Sequence, residues 1–132
     1  MRKFLLVVFV LCLTGCAAPT VKEIIEGGPD KTEIIAKPYE SLAFCLTQQF
    51  ENLQAYGLLA KPPRVAMKTL HDKQTAQVTV WLGEGPIWTI FDFQGLDKSS
   101  TRVTQYIPAS YGNVLVSRNG GRKLYAALDN CR

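Results

Sequence analysis

The sequence predicts an α+β domain: one long helix packed on a small antiparallel sheet of four or five strands, with a short C-terminal helix. Three observations carry this reading. Residues 38–56 place apolar side chains at helical spacing, residues 64–107 alternate β-rich runs with turn signals, and Cys45 and Cys131 bracket nearly all of that stretch. A helix with one apolar stripe and a sheet with one apolar face bury those surfaces against each other.

Residues 1–15 read as a signal peptide. Arg2 and Lys3 supply the cationic start, and residues 4–13 follow without a charge or a strong polar group. A permanent span takes about 20 apolar residues, so this run is too short to serve as one. The positive-inside bias keeps the Arg-Lys end in the cytoplasm. Leu13-Thr14-Gly15-Cys16 follows directly. This tetrad resembles the lipobox of bacterial lipoproteins, in which a small residue precedes a cysteine that is lipidated and becomes the mature N-terminus. The resemblance implies a lipid anchor of several acyl chains, palmitate among them, on Cys16. A thiolate is a strong nucleophile suited to that transfer, and two or more chains anchor stably where one does not. The alternative is ordinary cleavage, with Cys16 as a third disulfide-forming cysteine. Ala17 rather than Asp follows Cys16. By the same resemblance this points to the outer membrane, with the domain facing the periplasm.

Removal of Arg2 and Lys3 leaves thirteen basic against eleven acidic residues, a net charge of about +2. That is not the basic balance of a nucleic-acid binder. Cys12 leaves with the signal and Cys16 is acylated, so Cys45 and Cys131 remain as an even pair in an oxidising compartment. Closing a loop of about 87 residues stabilises by roughly 4–5 kcal/mol through chain entropy. Two free thiols are the other reading of the pair.

Residues 16–31 read as the lipidated N-terminus and a flexible tether, and residues 32–132 as the single globular domain. Gly27-Gly28-Pro29-Asp30 marks a turn or break, and Glu-Ile-Ile at 23–25 recurs at 33–35. The echo leaves open a hairpin around the break. The preferred reading has a mobile first copy and a first strand over 32–36. From 38 to 56, Tyr39, Leu42, Ala43, Leu46, Phe50 and Leu53 share one helical face. Pro38 suits the first helical position, Glu40 the positive end of the dipole, and Gly57 a left-handed cap with Leu58 against Leu53. Lys61-Pro62-Pro63 ends any helix.

Strands are expected at 64–70, 76–82, 87–93 and 101–107. With Gly83-Glu84-Gly85-Pro86 as a hairpin connection, Leu82 faces Ile87, Val80 faces Thr89 and Val78 faces Phe91 on the face toward the helix. The other face then pairs Trp81 with Trp88 and Thr79 with Ile90. Near the C-terminus, Asn119-Gly120 signals a type I′ hairpin. Leu124, Leu128 and Cys131 favour instead a short helix over about 121–130, which aims Cys131 at the core and ties the two helices together.

Trp81 and Trp88 are the partner-binding candidates, because adjacent indoles offer large contact area at low entropy cost. The competing reading puts both rings in the core. His71-Asp72 is the only histidine with a neighbouring acid, and adjacent strand residues point to opposite faces. One histidine with the thiols otherwise engaged gives no metal site. No Gly-x-Ser-x-Gly elbow surrounds a serine, and Gly83-Glu84-Gly85 lacks the length and lysine of a phosphate loop. No catalytic, metal or cofactor residue is therefore assigned. Arg118, Arg122, Lys123 and Arg132 form a basic end suited to anionic headgroups, cell-wall carboxylates or an acidic partner, or simply to solvent.

The function expected is that of a non-catalytic envelope lipoprotein that binds another envelope protein as adaptor or accessory subunit. The alternative is a carrier or sensor of a small apolar ligand or lipid held between helix and sheet. A hydrolase would need His71 to meet a serine or an acid from a distant element.

Overall fold

In the computed structural model, which describes residues 17–52, 63–109 and 126–132, five strands form one antiparallel sheet. They are β1 (Lys31–Ile35), β2 (Arg64–Leu70), β3 (Thr75–Trp81), β4 (Ile87–Gly95) and β5 (Thr101–Tyr106). The order across the sheet is β1-β5-β4-β3-β2, with every neighbour antiparallel. Helix α1 (Val21–Glu26) lies on one face, helix α2 (Tyr39–Glu51) on the other, and residues 126–129 form a last helical turn. The chain is thus α+β. The residues expected at the signal, at Cys16, at 53–58, at Lys61 and Pro62, and at 110–125 lie outside the described residues.

α2 forms because its apolar residues recur every three or four positions. Leu42, Ala43, Leu46 and Phe50 are completely buried, while Phe44 stays 56% exposed on the outer side. Pro38 is the N-cap rather than the first helical residue: its carbonyl accepts the bond from the Leu42 amide at 3.1 Å. The helix rests on Val78 and Val80 of β3 and on Phe91 and Phe93 of β4. Phe50 anchors the contact, its ring 6.0 Å from that of Phe91 and 6.3 Å from that of Trp88. Burying such a ring contributes about 2–3 kcal/mol. Gly95 lets the start of α2 approach β4, since an added Cβ would lie 3.0 Å from the Tyr39 ring.

Cys45 and Cys131 are bonded, with Cα atoms 5.9 Å apart. Ala127, Leu128 and Cys131 are buried in the same cluster as α2, as the helical reading of the C-terminus requires for its described part. Lys37 Nζ donates to the Cys131 carbonyl at 2.8 Å. Arg132 is paired with Glu33 and Asp129, so it is not a free cation of a basic tail.

Two further sequence expectations differ from what is observed. The segment expected to be a mobile tether contains α1, which starts at Val21. Thr20 and Glu23 form a reciprocal capping box that satisfies the first amides of the helix. Ile24 is buried against Ile87 and Ile90, with Val21 and Ile25 packed beside them. The Asp30 carboxylate then accepts from the Ile107 amide, and the Asp30 amide donates to the Gln105 carbonyl. Burial of α1's apolar side and these two bonds fix the segment to the sheet.

The tryptophan pair is the second difference. Val78 faces Phe91, Val80 faces Thr89 and Thr79 faces Ile90 as expected, but the register then shifts and Trp81 faces Ile87. Trp88 is the extra residue of a bulge, which turns its ring to the α2 side. There it is only 9% exposed and meets Phe50 edge-on at 65°. Trp81 stays on the α1 side, half-buried, with the Arg64 guanidinium 4.4 Å above its ring. The two indoles sit on opposite sides of the sheet and form no common docking surface.

Candidate functional site

Strand register turns the α1 side of the sheet into a grid. Side chains alternate between faces, and cross-strand neighbours stand about 4.5–5.5 Å apart. At one end α1 covers Ile87, Ile90, Trp81 and Tyr106. Beyond its reach, one row runs Lys68, Gln77, Asp92, Thr104 across β2 to β5. The next row runs Leu70, Thr75, Gln94, Arg102. These two rows, with Tyr106 at the inner wall, line a depression of about 370 Å³. Its centre is half-buried, at Thr75, Gln77, Asp92 and Thr104, and its rim is exposed, at Lys68, Leu70, Gln94 and Arg102.

The electrostatics of this surface centre on Asp92. Gln77 Nε2 donates to Asp92 Oδ1 at 2.8 Å. Burial pushes the Asp92 carboxyl above the usual carboxylate range, opposed in part by that bond. Burial also raises the Tyr106 hydroxyl, and the charge of Asp92 raises it further. Arg102 Nη1 donates to Gln94 Oε1 at 3.2 Å. The sequence does carry a signal for this site. Asp92 interrupts Ile87–Gly95, a strand otherwise rich in buried apolar residues, between Phe91 and Phe93.

The remaining candidates are distributed differently. His71 opens a short 3₁₀ turn (His71–Lys73), and its Nδ1 lies 2.8 Å from Glu40 Oε1. The Tyr39 hydroxyl donates to the same oxygen at 3.0 Å. His71 thus does meet an acid from a distant element, but both side chains are exposed. No serine hydroxyl joins them among the described residues, and nothing excludes water from the pair. Among the described residues no group of three or more His, Cys, Asp and Glu is arranged to hold a metal ion. A second depression, about 470 Å³, lies between the start of α1 and the end of β5. Its two acids are already engaged, Glu23 with Thr20 and Asp30 with Ile107. No helix among the described residues is long and apolar enough to cross a membrane.

The architecture is therefore a five-stranded antiparallel sheet with α2 packed on one face and half of the other face left uncovered by the described residues. Comparison with protein-family models, curated proteins and solved structures finds no match to this chain.

Proposed function

We propose that this chain is a non-catalytic lipoprotein of the cell envelope, anchored through Cys16, that binds another envelope protein as an adaptor or accessory subunit. We place the contact on the open half of the sheet rather than on the tryptophans. The observation that carries the reading is the contrast between the two faces. Under α2, Leu42, Leu46, Phe50 and Phe91 are completely buried. That filled interface disfavours a carrier of an apolar ligand held between helix and sheet. The other face presents half-buried hydrogen-bonding groups with an exposed rim.

The lipobox resemblance and Ala17 support an outer-membrane anchor with the domain facing the periplasm. With Cys16 lipidated, α1 begins five residues further on, at Val21. That leash spans at most about 17 Å when extended. A domain held so close to the bilayer meets a membrane partner at high effective concentration, so a modest intrinsic affinity suffices.

Native mass spectrometry of the protein extracted in mild detergent from its own membranes tests the reading. The expected spectrum carries the mass of the acyl groups on residue 16, the loss of two hydrogens for the disulfide, and a co-isolating protein. An unlipidated mature chain would remove the anchor. A protein-free chain holding a small apolar molecule would favour the carrier.

A further inference from the structure

Asp92 is a half-buried carboxylate whose acceptor capacity is largely unused. A carboxylate accepts at about four lone-pair sites, and among the described residues one neutral amide, from Gln77, supplies the single donor. Leaving a charge partly desolvated without a counter-ion costs stability. The cations of this face do not relieve it: Arg102 bonds to Gln94, and Lys68 reaches no acceptor among the described residues. Burial accordingly dominates the Asp92 titration, with no cation among its causes.

The register sets the spacing of these charges. Arg102 stands on the adjacent strand, two residues along, since Asp92 faces Thr104 and Gln94 faces Arg102. Diagonal neighbours of that kind are about 7–8 Å apart at the backbone. Lys68 lies in the same row as Asp92 but two strands away, about 9–10 Å. A guanidinium held only by a neutral amide is free to exchange it for a carboxylate, which its fork grips with two parallel bonds.

We propose that the open half of the sheet is a binding site for an ammonium–carboxylate pair, the ammonium on Asp92 between Gln77 and Tyr106 and the carboxylate on Arg102. The two groups of the ligand stand about 5–7 Å apart to match the diagonal. This rests on the placement of the partner surface proposed above. The pair is carried either by an exposed lysine beside an acid in the partner protein or by a free amino acid of matching length. Thr75, Thr104 and Gln77 supply neutral hydrogen bonds between the two charges.

The test is calorimetric titration of the full chain in mild detergent with glycine, 3-aminopropanoate, 5-aminopentanoate and 8-aminooctanoate, with pentanoate and pentylamine as single-charge controls. The expected result is one saturable site, tightest for 5-aminopentanoate, with both controls at least tenfold weaker. Asp92→Asn should reduce 5-aminopentanoate to the level of pentanoate, and Arg102→Gln should reduce it to that of pentylamine. Neither variant should lower the melting temperature of the parent, because neither residue holds an element in place. Equal affinity for a control, binding that survives Asp92→Asn, or no saturation by any amino acid would overturn the proposal. A photo-crosslinked partner at Gln94 that 5-aminopentanoate displaces assigns the pair to the protein. Binding of 5-aminopentanoate with no such adduct assigns it to a free amino acid. A partner that crosslinks while no amino acid binds overturns this inference and leaves the adaptor reading standing.

Discussion

Replacing Cys45 and Cys131 together by alanine removes the covalent closure between α2 and the C-terminal turn. The closed loop holds about 87 residues, and releasing it restores roughly 4–5 kcal/mol of chain entropy to the unfolded state. The folded state should change little. Ala127 and Leu128 stay buried, Lys37 still donates to the carbonyl of residue 131, and Arg132 still pairs with Glu33. The loss therefore falls mainly on the unfolded ensemble. For a domain whose total stability is about 5–15 kcal/mol, this is a large fraction. Urea denaturation of the oxidised parent and the double variant measures it. The expected outcome is a loss near 4 kcal/mol with a larger m-value, because the unlinked chain exposes more surface on unfolding. A loss below about 1 kcal/mol with unchanged m would refute the loop-entropy reasoning, since the bond would then constrain nothing that the packing does not.

Further predictions concern the core, the bulge and the acids. Phe50→Ala removes a completely buried ring that touches Trp88 and Phe91, and should cost about 3–5 kcal/mol in chemical denaturation. Trp88 Nε1 is buried without a hydrogen-bond partner among the described residues. Trp88→Phe should therefore cost under about 1.5 kcal/mol while Trp88→Ala costs about 3–5 kcal/mol, whereas two exposed indoles would make both changes near neutral. The Asp97 carboxyl is held down to about 2 by the Ser100 hydroxyl first, then by the amide and hydroxyl of Ser99. Its folded value lies below the unfolded one, so the stabilisation is present above about pH 4 and lost as pH falls toward 2. The Ser99 amide resonance should titrate over that window in the parent and not in Asp97→Asn. Asp92 has the opposite sign: burial raises its folded value, so its cost is present at neutral pH and relieved as pH falls through that value. Asp92→Asn should leave stability at pH 7 unchanged or higher, and denaturation midpoints across pH 4–7 should show the Asp92 slope removed.

Elements held by local periodicity were legible in the sequence. The α2 stripe, the strands around each turn signal and the direction of Cys131 all follow from spacings of two or of three to four residues. The sheet order and the bulge do not, because they depend on pairings between distant segments. Counting outward from Gly83-Glu84-Gly85-Pro86 assumes one residue against one. A single extra residue at Trp88 then moves the largest side chain of the strand to the other face. α1 is too short to propagate by helical propensity alone. It exists because Ile24 finds Ile87 and Ile90, residues more than sixty positions away. The polar grid was largely hidden: Lys68, Gln77, Asp92 and Arg102 belong to four strands, and only Asp92, between Phe91 and Phe93, stands out within its own strand.

The open half of the sheet is proposed as the surface by which this chain meets its partner. Site-specific photo-crosslinking in living cells tests it directly, with a photoreactive side chain at Gln94 on the open face and, in a second strain, at Phe44 on the exposed side of α2. The expected result is a discrete protein adduct from Gln94, abolished by Asp92→Lys, and none from Phe44. An adduct from Phe44 alone, or from both positions equally and indifferent to Asp92→Lys, would contradict it.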